Sequence, residues 1–200
     1  MTKAKIAVLV SGGGTNLQAL IDAQASEKIT SGSIALVISN NPKAFALQRA
    51  ESAGIATETI TKAQYGSQAA FEQAIKDAIS KHEIDLIVLA GFMSILSEDF
   101  TKDYPERIIN VHPSLIPSFC GKGFYGLRVH EEALAYGVKV TGATVHFVNE
   151  IPDGGKILLQ KAVVIEEGDT PEILQKRVME QAEWQILPEA VELVSKSLRR

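Results

Sequence analysis

The feature that most restricts the fold of this 200-residue chain is a series of short, almost wholly apolar segments separated by stretches of helical period. IAVLV at 6–10, IALVIS at 34–39 and LIVLAGF at 86–92 have no polar side to turn towards water. Strands of that composition must be covered on both faces, which is the condition of a parallel sheet flanked by helices. Between them the pattern predicts a helix from about Thr15, another from about Pro42, a short TETI segment, and a long helix over 67–81. In that last helix Ala70, Phe71, Ala74, Ile75, Ala78 and Ile79 form one apolar stripe. IINVH at 108–112 reads as a further strand, and the Pro-, Ser- and Gly-dense stretch 113–126 after it is long enough to be a functional loop.

A helix is expected near 129–136, followed by VTGATVHFV at 140–148 and KILLQKAVVI at 156–165. Only the turn-rich EIPDGG separates these two strands, so they should pair antiparallel. A last helix opens at Thr170-Pro171, with threonine as cap and proline in the first turn. The expectation is an α/β fold: a mostly parallel sheet flanked by helices, with an antiparallel C-terminal portion. With 46% hydrophobic residues and no internal repeat, the chain is read as a single domain over 1–200 that needs no disulfide or structural metal.

The net charge of −4 is scattered rather than blocked, which argues against nucleic acid and against a membrane surface as partners. Two lysines precede the first apolar run, but no small-residue cleavage site follows it. No segment approaches the roughly 18 to 20 apolar residues of a membrane span. Cys120, the one cysteine, fits a reducing compartment, and a cytoplasmic location is expected.

Three glycines in Ser11-Gly12-Gly13-Gly14-Thr15-Asn16 join an apolar strand to a helix, so exposed backbone N–H groups and the positive end of the helix dipole meet there. The third glycine position of a dinucleotide fingerprint is Leu17, and the second strand ends in Ser39-Asn40-Asn41 with no acid for a ribose. No lysine of a triphosphate loop is present either. A monophosphate site remains, against the plain alternative of a tight turn with a capped helix.

Asn110 and His112, two residues apart, project to the same side at the carboxyl end of a strand, where open α/β sheets bind ligands. Asp153, in the turn Pro152-Asp153-Gly154-Gly155, is placed to fold back over that edge. Spacing alone leaves open a structural amide, a half-buried histidine and an ordinary turn aspartate. His82 reads as a surface residue, His146 as strand packing or a partner behind the site, and His130 either as facing the site or as core. No short-range zinc spacing links the histidines, so no metal is expected.

SGGGTNLQALID, LAGFMSIL, NVHPSLIPSF, TGATVHFV and the following DGG resemble, in order, the motifs of the glycinamide ribonucleotide formyltransferase family, over nearly the whole chain. The resemblance implies a Rossmann-like formyltransferase fold with folate at the carboxyl edge of the strands. It implies transfer of a formyl group from 10-formyltetrahydrofolate, as cosubstrate, to the amine of glycinamide ribonucleotide, a step of purine synthesis. Asn110, His112 and Asp153 become the catalytic trio. Gly14, Thr15 and Asn16 match the family's contacts to the ribonucleotide phosphate and its surroundings. Glu183, with Glu180 one turn earlier, matches an acid on the ribose, in a helix whose register shifts by one residue in some members. Met93, Ser94, Ile95 and Leu96 match the segment around the pterin, and Asn149 and Asp153 the loop closing over it. Gln68 departs from the family, which often carries a basic residue there near the folate. The N-terminal half then holds the phosphate loop, and the C-terminal half the folate site and the catalytic residues. The expected partners are these two small molecules, with a homodimer left open. The nearest alternatives are a 10-formyltetrahydrofolate hydrolase and a non-catalytic phosphosugar-binding module. Hydrolase relatives usually add an N-terminal regulatory domain, and methionyl-tRNA formyltransferases a C-terminal RNA-binding one. Neither extra is expected here.

Overall fold

A computed structural model describes residues 2–198, so positions 1, 199 and 200 of the expected domain lie outside the described residues. Seven strands form one sheet: β1 (Ala4–Val10), β2 (Gly32–Ser39), β3 (Ala56–Thr59), β4 (Leu86–Leu89), β5 (Ile108–His112), β6 (Val140–Phe147) and β7 (Ile157–Val164). They lie in the order β3-β2-β1-β4-β5-β6-β7. From β3 to β5 all pairings are parallel, whereas β6 runs antiparallel to β5 and β7 antiparallel to β6. The expected parallel sheet with an antiparallel C-terminal portion is what the chain forms.

Alternation along β1 divides the interior into two cores. Ile6, Val8 and Val10 pack on one face with Leu17 and Leu20 of α1 (Thr15–Ala25), while Ala7 and Leu9 face the other core. After α2 (Phe45–Ser52), α3 (Lys62–Tyr65) and α4 (Gln68–Lys81), the chain returns to the opposite side of β1 as β4. The strand order therefore reverses between β1 and β4, and the crevice beyond their carboxyl ends is the place where such sheets hold ligands.

Three departures from the sequence pattern bear on that crevice. LIVLAGF is strand only to Leu89, because Gly91 turns the chain with a φ of 74° and sends 92–96 across the sheet edge. Two short helices, α3 and α5 (Glu98–Lys102), are too brief to show periodicity, although the side chains of Thr61 and Ser97 cap them. The C-terminal helix is not continuous in pitch. After α6 (Leu127–Tyr136), it runs as α7 (Pro171–Val178), a π-helical segment (Met179–Glu183) and α8 (Trp184–Leu198). The wider π turn brings Met179 and Glu183 against the start of α1, where Thr15 Oγ1 lies 3.8 Å from Met179 Sδ.

The β6–β7 hairpin carries the Asp153 turn and depends on two close backbone approaches. A Cβ on Gly142 would stand 2.0 Å from the Lys161 carbonyl oxygen, and one on Gly155 would stand 1.7 Å from that of Phe147. Gly142→Ala should therefore lower stability by about 1–3 kcal/mol through overpacking. An unchanged Tm in that variant would mean that the two strands separate without cost.

Candidate active site

The glycine loop delivers an open helix end. Gly14 is the N-cap of α1, in left-handed conformation with a φ of 71°, and no side chain caps the helix. A Cβ there would also strike Ala46 Cβ at 2.6 Å, whereas a Cβ on Gly12 or Gly13 meets nothing within 4 Å. Packing thus explains Gly14 but not its two neighbours, whose lack of side chains keeps space clear over the helix end. Arg49 Nε donates to the Gly13 carbonyl at 2.9 Å, and its guanidinium lies 4.9 Å from the Phe45 ring centroid.

Asn16 Nδ2 donates to Glu183 Oε2 at 2.7 Å. Burial pushes the Glu183 carboxyl up to about 7, against the pull of that single bond. Glu180 goes elsewhere: its side chain is exposed and pairs with Lys176 one turn away, at 3.9 Å. Of the two acids expected near the ribonucleotide, the π segment brings one to the loop.

At the carboxyl end of β5 the trio comes together. Asn110 lies directly opposite His146 across the antiparallel pair, and His112 opposite Thr144. His112 Nε2 is 2.8 Å from the Phe119 carbonyl, an acceptor only, so Nε2 carries the proton and Nδ1 is left with a lone pair. Nδ1 is 3.6 Å from Asp153 Oδ2. Burial lowers the basicity of His112, opposed by the negative charge of Asp153 and by the Phe119 carbonyl. For Asp153 burial likewise works against charge, but the His146 ring, the His112 charge and the Gly121 N–H hold it below the usual carboxylate range. The Gly121 N–H donates to Asp153 Oδ2 at 2.8 Å, so the loop 113–126 is tied to both members of the pair. Asp153 itself has a φ of 57°, the conformation that turns its carboxylate back over the edge.

His146, for which the sequence leaves packing or a partner behind the site, has a definite place. Its Nδ1 donates to the Phe147 carbonyl at 2.8 Å, which leaves Nε2 to accept from Asn110 Nδ2 at 3.2 Å. The amide of Asn110 is oriented by that bond and keeps one N–H free. The same Nε2 is 3.5 Å from Asp153 Oδ1, within ion-pair reach when the ring takes a second proton. Cys120 does not resemble a nucleophile, since burial and the nearby Asp153 push its thiol up. Among the described residues no cluster of three or more His, Cys, Asp or Glu could hold a metal ion.

The 93–96 segment is anchored by contacts that carry no motif. Met93 N–H donates to Ser11 Oγ, Asn40 Nδ2 donates to Ser94 Oγ, and buried Glu72 accepts from the N–H of Ser97 at 2.7 Å. Gln68 belongs to this anchorage. Its Nε2 gives hydrogen bonds to Glu72 Oε1 at 2.7 Å and to the Ile95 carbonyl at 3.1 Å. Met93 and Ile95 are 54% and 65% exposed at the mouth of the crevice, while Leu96 is buried in the core. Asn149 Oδ1 accepts from the Ile151 N–H and so shapes the turn before Asp153.

The Glu183 carboxyl gives a pH signature. Its native proton affinity lies above the ordinary value of 4.5, so its contribution to stability is full below about pH 4.5 and is lost as pH rises through about 7. Relative to Glu183→Gln, the wild-type protein should lose stability between pH 5 and pH 8, by up to about 3 kcal/mol. Parallel Tm-against-pH curves for the two proteins would show that the carboxyl is not desolvated.

A family model described as formyl transferase matches residues 4–191. The phosphoribosylglycinamide formyltransferase of Escherichia coli (strain K12) is 42% identical over 176 residues, covering 88% of this chain and 80% of that protein. The trifunctional purine biosynthetic protein adenosine-3 of Bos taurus is 46% identical over 193 residues, 96% of this chain, which spans only 18% of that relative's length. The crystal structure of glycinamide ribonucleotide transformylase 1 from Symbiobacterium toebii superposes with a TM-score of 0.91 at 41% identity, covering 98% of this chain and 89% of that one. With an N-x-H strand end, a DGG turn and a glycine loop set around one crevice of this fold, the chain belongs to the formyl transferase family.

Proposed function

We propose that this chain transfers the formyl group of 10-formyltetrahydrofolate to the amine of glycinamide ribonucleotide, in the cytoplasm and without a metal. The observation that carries the reading is the convergence of Asn110, His112 and Asp153 at the carboxyl edge of β5, in a chain of this family. One domain serves both substrates. The ribonucleotide phosphate lies on the uncapped end of α1 at Gly14, Thr15 and Asn16, with Glu183 on the ribose. The pterin lies against the exposed apolar surface of Met93 and Ile95, between Ser94 and the turn of Asn149 and Asp153.

The chemistry is acyl transfer without a covalent enzyme intermediate. The amine nitrogen attacks the formyl carbon, a C–N bond forms, and negative charge develops on the formyl oxygen. The free N–H of Asn110 is the donor for that oxygen, a type of contact whose loss costs on the order of a hundred- to a thousandfold in rate. His112 receives the amine proton at Nδ1, the one ring atom not committed to Phe119, and Asp153 opposes the imidazolium charge that results. The same proton then passes to the folate nitrogen as its bond to the formyl carbon breaks. Tetrahydrofolate leaves.

The test is folate absorbance followed with and without glycinamide ribonucleotide. Tetrahydrofolate should appear only when the amine is present, and His112→Asn should lower kcat by about a hundredfold or more with little change in ribonucleotide KM. Equal release of formate without the amine would make the chain a hydrolase. Binding of ribonucleotide with no turnover of folate would leave a phosphosugar-binding module.

A further inference from the structure

Three residues stand in one row across the antiparallel strands: His112 on β5 lies opposite Thr144 on β6, and Thr144 lies opposite Gln160 on β7. Opposite residues share a face of the sheet, so the three side chains leave it on the same side. Two strand spacings, roughly 10 Å, separate Gln160 from His112, too far for contact. Gln160 is exposed on the edge strand, where water would satisfy its amide. Its Nε2 instead donates to the protein twice, to the Ile116 carbonyl at 3.0 Å and to Thr144 Oγ1 at 3.0 Å. The carbonyl only accepts, which fixes the amide this way round.

These bonds hold the start of the loop 113–126. Thr144 Oγ1 donates to the Ser114 carbonyl at 2.7 Å and accepts from the Ile116 N–H at 3.1 Å as well as from Gln160, so its one hydrogen and both lone pairs are used. Ile116 is thereby held at both of its backbone groups. Ser114 Oγ donates to the Ser118 carbonyl at 2.6 Å and the Ser118 N–H to the Leu115 carbonyl at 3.0 Å, which closes the turn leading into Phe119. Phe119 has a φ of 48°, a conformation costly to a residue with a Cβ. A chain free to relax would leave it and swing the Phe119 carbonyl away from His112 Nε2. The turn has to be held from outside, and Gln160 holds its start.

Taking the formyl-transfer reading as given, we infer that Gln160 is a positioning residue: by donating to Ile116 and Thr144 it keeps the Phe119 carbonyl on His112 Nε2, and so keeps Nδ1 open to the substrate amine. It acts through the loop and does not touch His112.

Gln160→Met removes the donors at similar length, Gln160→Glu replaces them by an acceptor of the same shape, and Gln160→Lys keeps a donor of sufficient reach. The readouts are kcat, ribonucleotide KM, Tm and the ring 15N shifts of His112. The methionine and glutamate variants should lose on the order of tenfold in kcat with ribonucleotide KM little changed, because small misplacements of a reacting group are expensive. Neutral His112 should then show a mixture of Nδ1–H and Nε2–H forms, where the wild-type protein shows Nε2–H. Lysine should restore both kcat and the wild-type shift. Wild-type kcat and shifts in the methionine and glutamate variants, whatever their Tm, would overturn the inference, since the amide then only staples β7 to the loop. So would a loss of kcat with unaltered His112 shifts, or one that lysine does not restore. Absence of formyl transfer in the wild-type protein would end the functional reading instead; the 15N shifts need no substrate and still decide whether Gln160 sets the proton of His112.

Discussion

The arrangement at the sheet edge depends on the antiparallel pairing of β5 with β6. Residues directly opposite in such a pair share a face, so Asn110 and His112 necessarily acquire His146 and Thr144 as neighbours. Had β6 continued the parallel order of the first five strands, Asn110 would have had no ring nitrogen to hold its amide. The antiparallel β6–β7 hairpin also makes the return short, and the nine residues 148–156 suffice to bring Asp153 back to within 3.6 Å of His112. A parallel crossover would have required a dozen or more residues and a helix in that place.

A second consequence concerns which atoms are left free. Backbone carbonyls accept and cannot donate, so Phe119 and Phe147 each assign a proton to one ring nitrogen and expose the other. Thr144 works behind them. Its hydroxyl donates to the Ser114 carbonyl and accepts from the Ile116 N–H, pinning the start of the loop that presents Phe119. Preorganisation of this kind matters more than any single contact, because a donor already aimed at developing charge need not reorganise when the reaction occurs.

Much of this was legible in the sequence, for identifiable reasons. The apolar strands had one physical solution, and the period-2 rule alone placed Asn110 and His112 together. His146 was left between strand packing and a partner behind the site, because the choice follows from the register of β5 against β6, which the sequence of the connecting stretch 113–126 does not fix. Gln68, expected near the folate, donates through Nε2 to Glu72 and to the Ile95 carbonyl, the latter 27 positions away, a contact that no local spacing shows. Glu183 is the residue matched to the ribose acid, and regular helical spacing would put Glu180, one turn earlier, on the same face as its equivalent. The π segment breaks that equivalence by changing the angle between them, and no residue pattern announces a π turn. Glu72 and Ser97 went unnoticed because their hydrogen bonds link positions 25 residues apart in sequence.

The central claim is that backbone carbonyls fix the tautomers of the two histidines so that His112 presents Nδ1 to Asp153 and His146 presents Nε2 to Asn110. Ring 15N chemical shifts at neutral to mildly alkaline pH, with each histidine assigned by substitution, read this directly. The account predicts that neutral His112 carries its proton on Nε2 and neutral His146 on Nδ1. Finding His112 protonated on Nδ1, or His146 on Nε2, would contradict it.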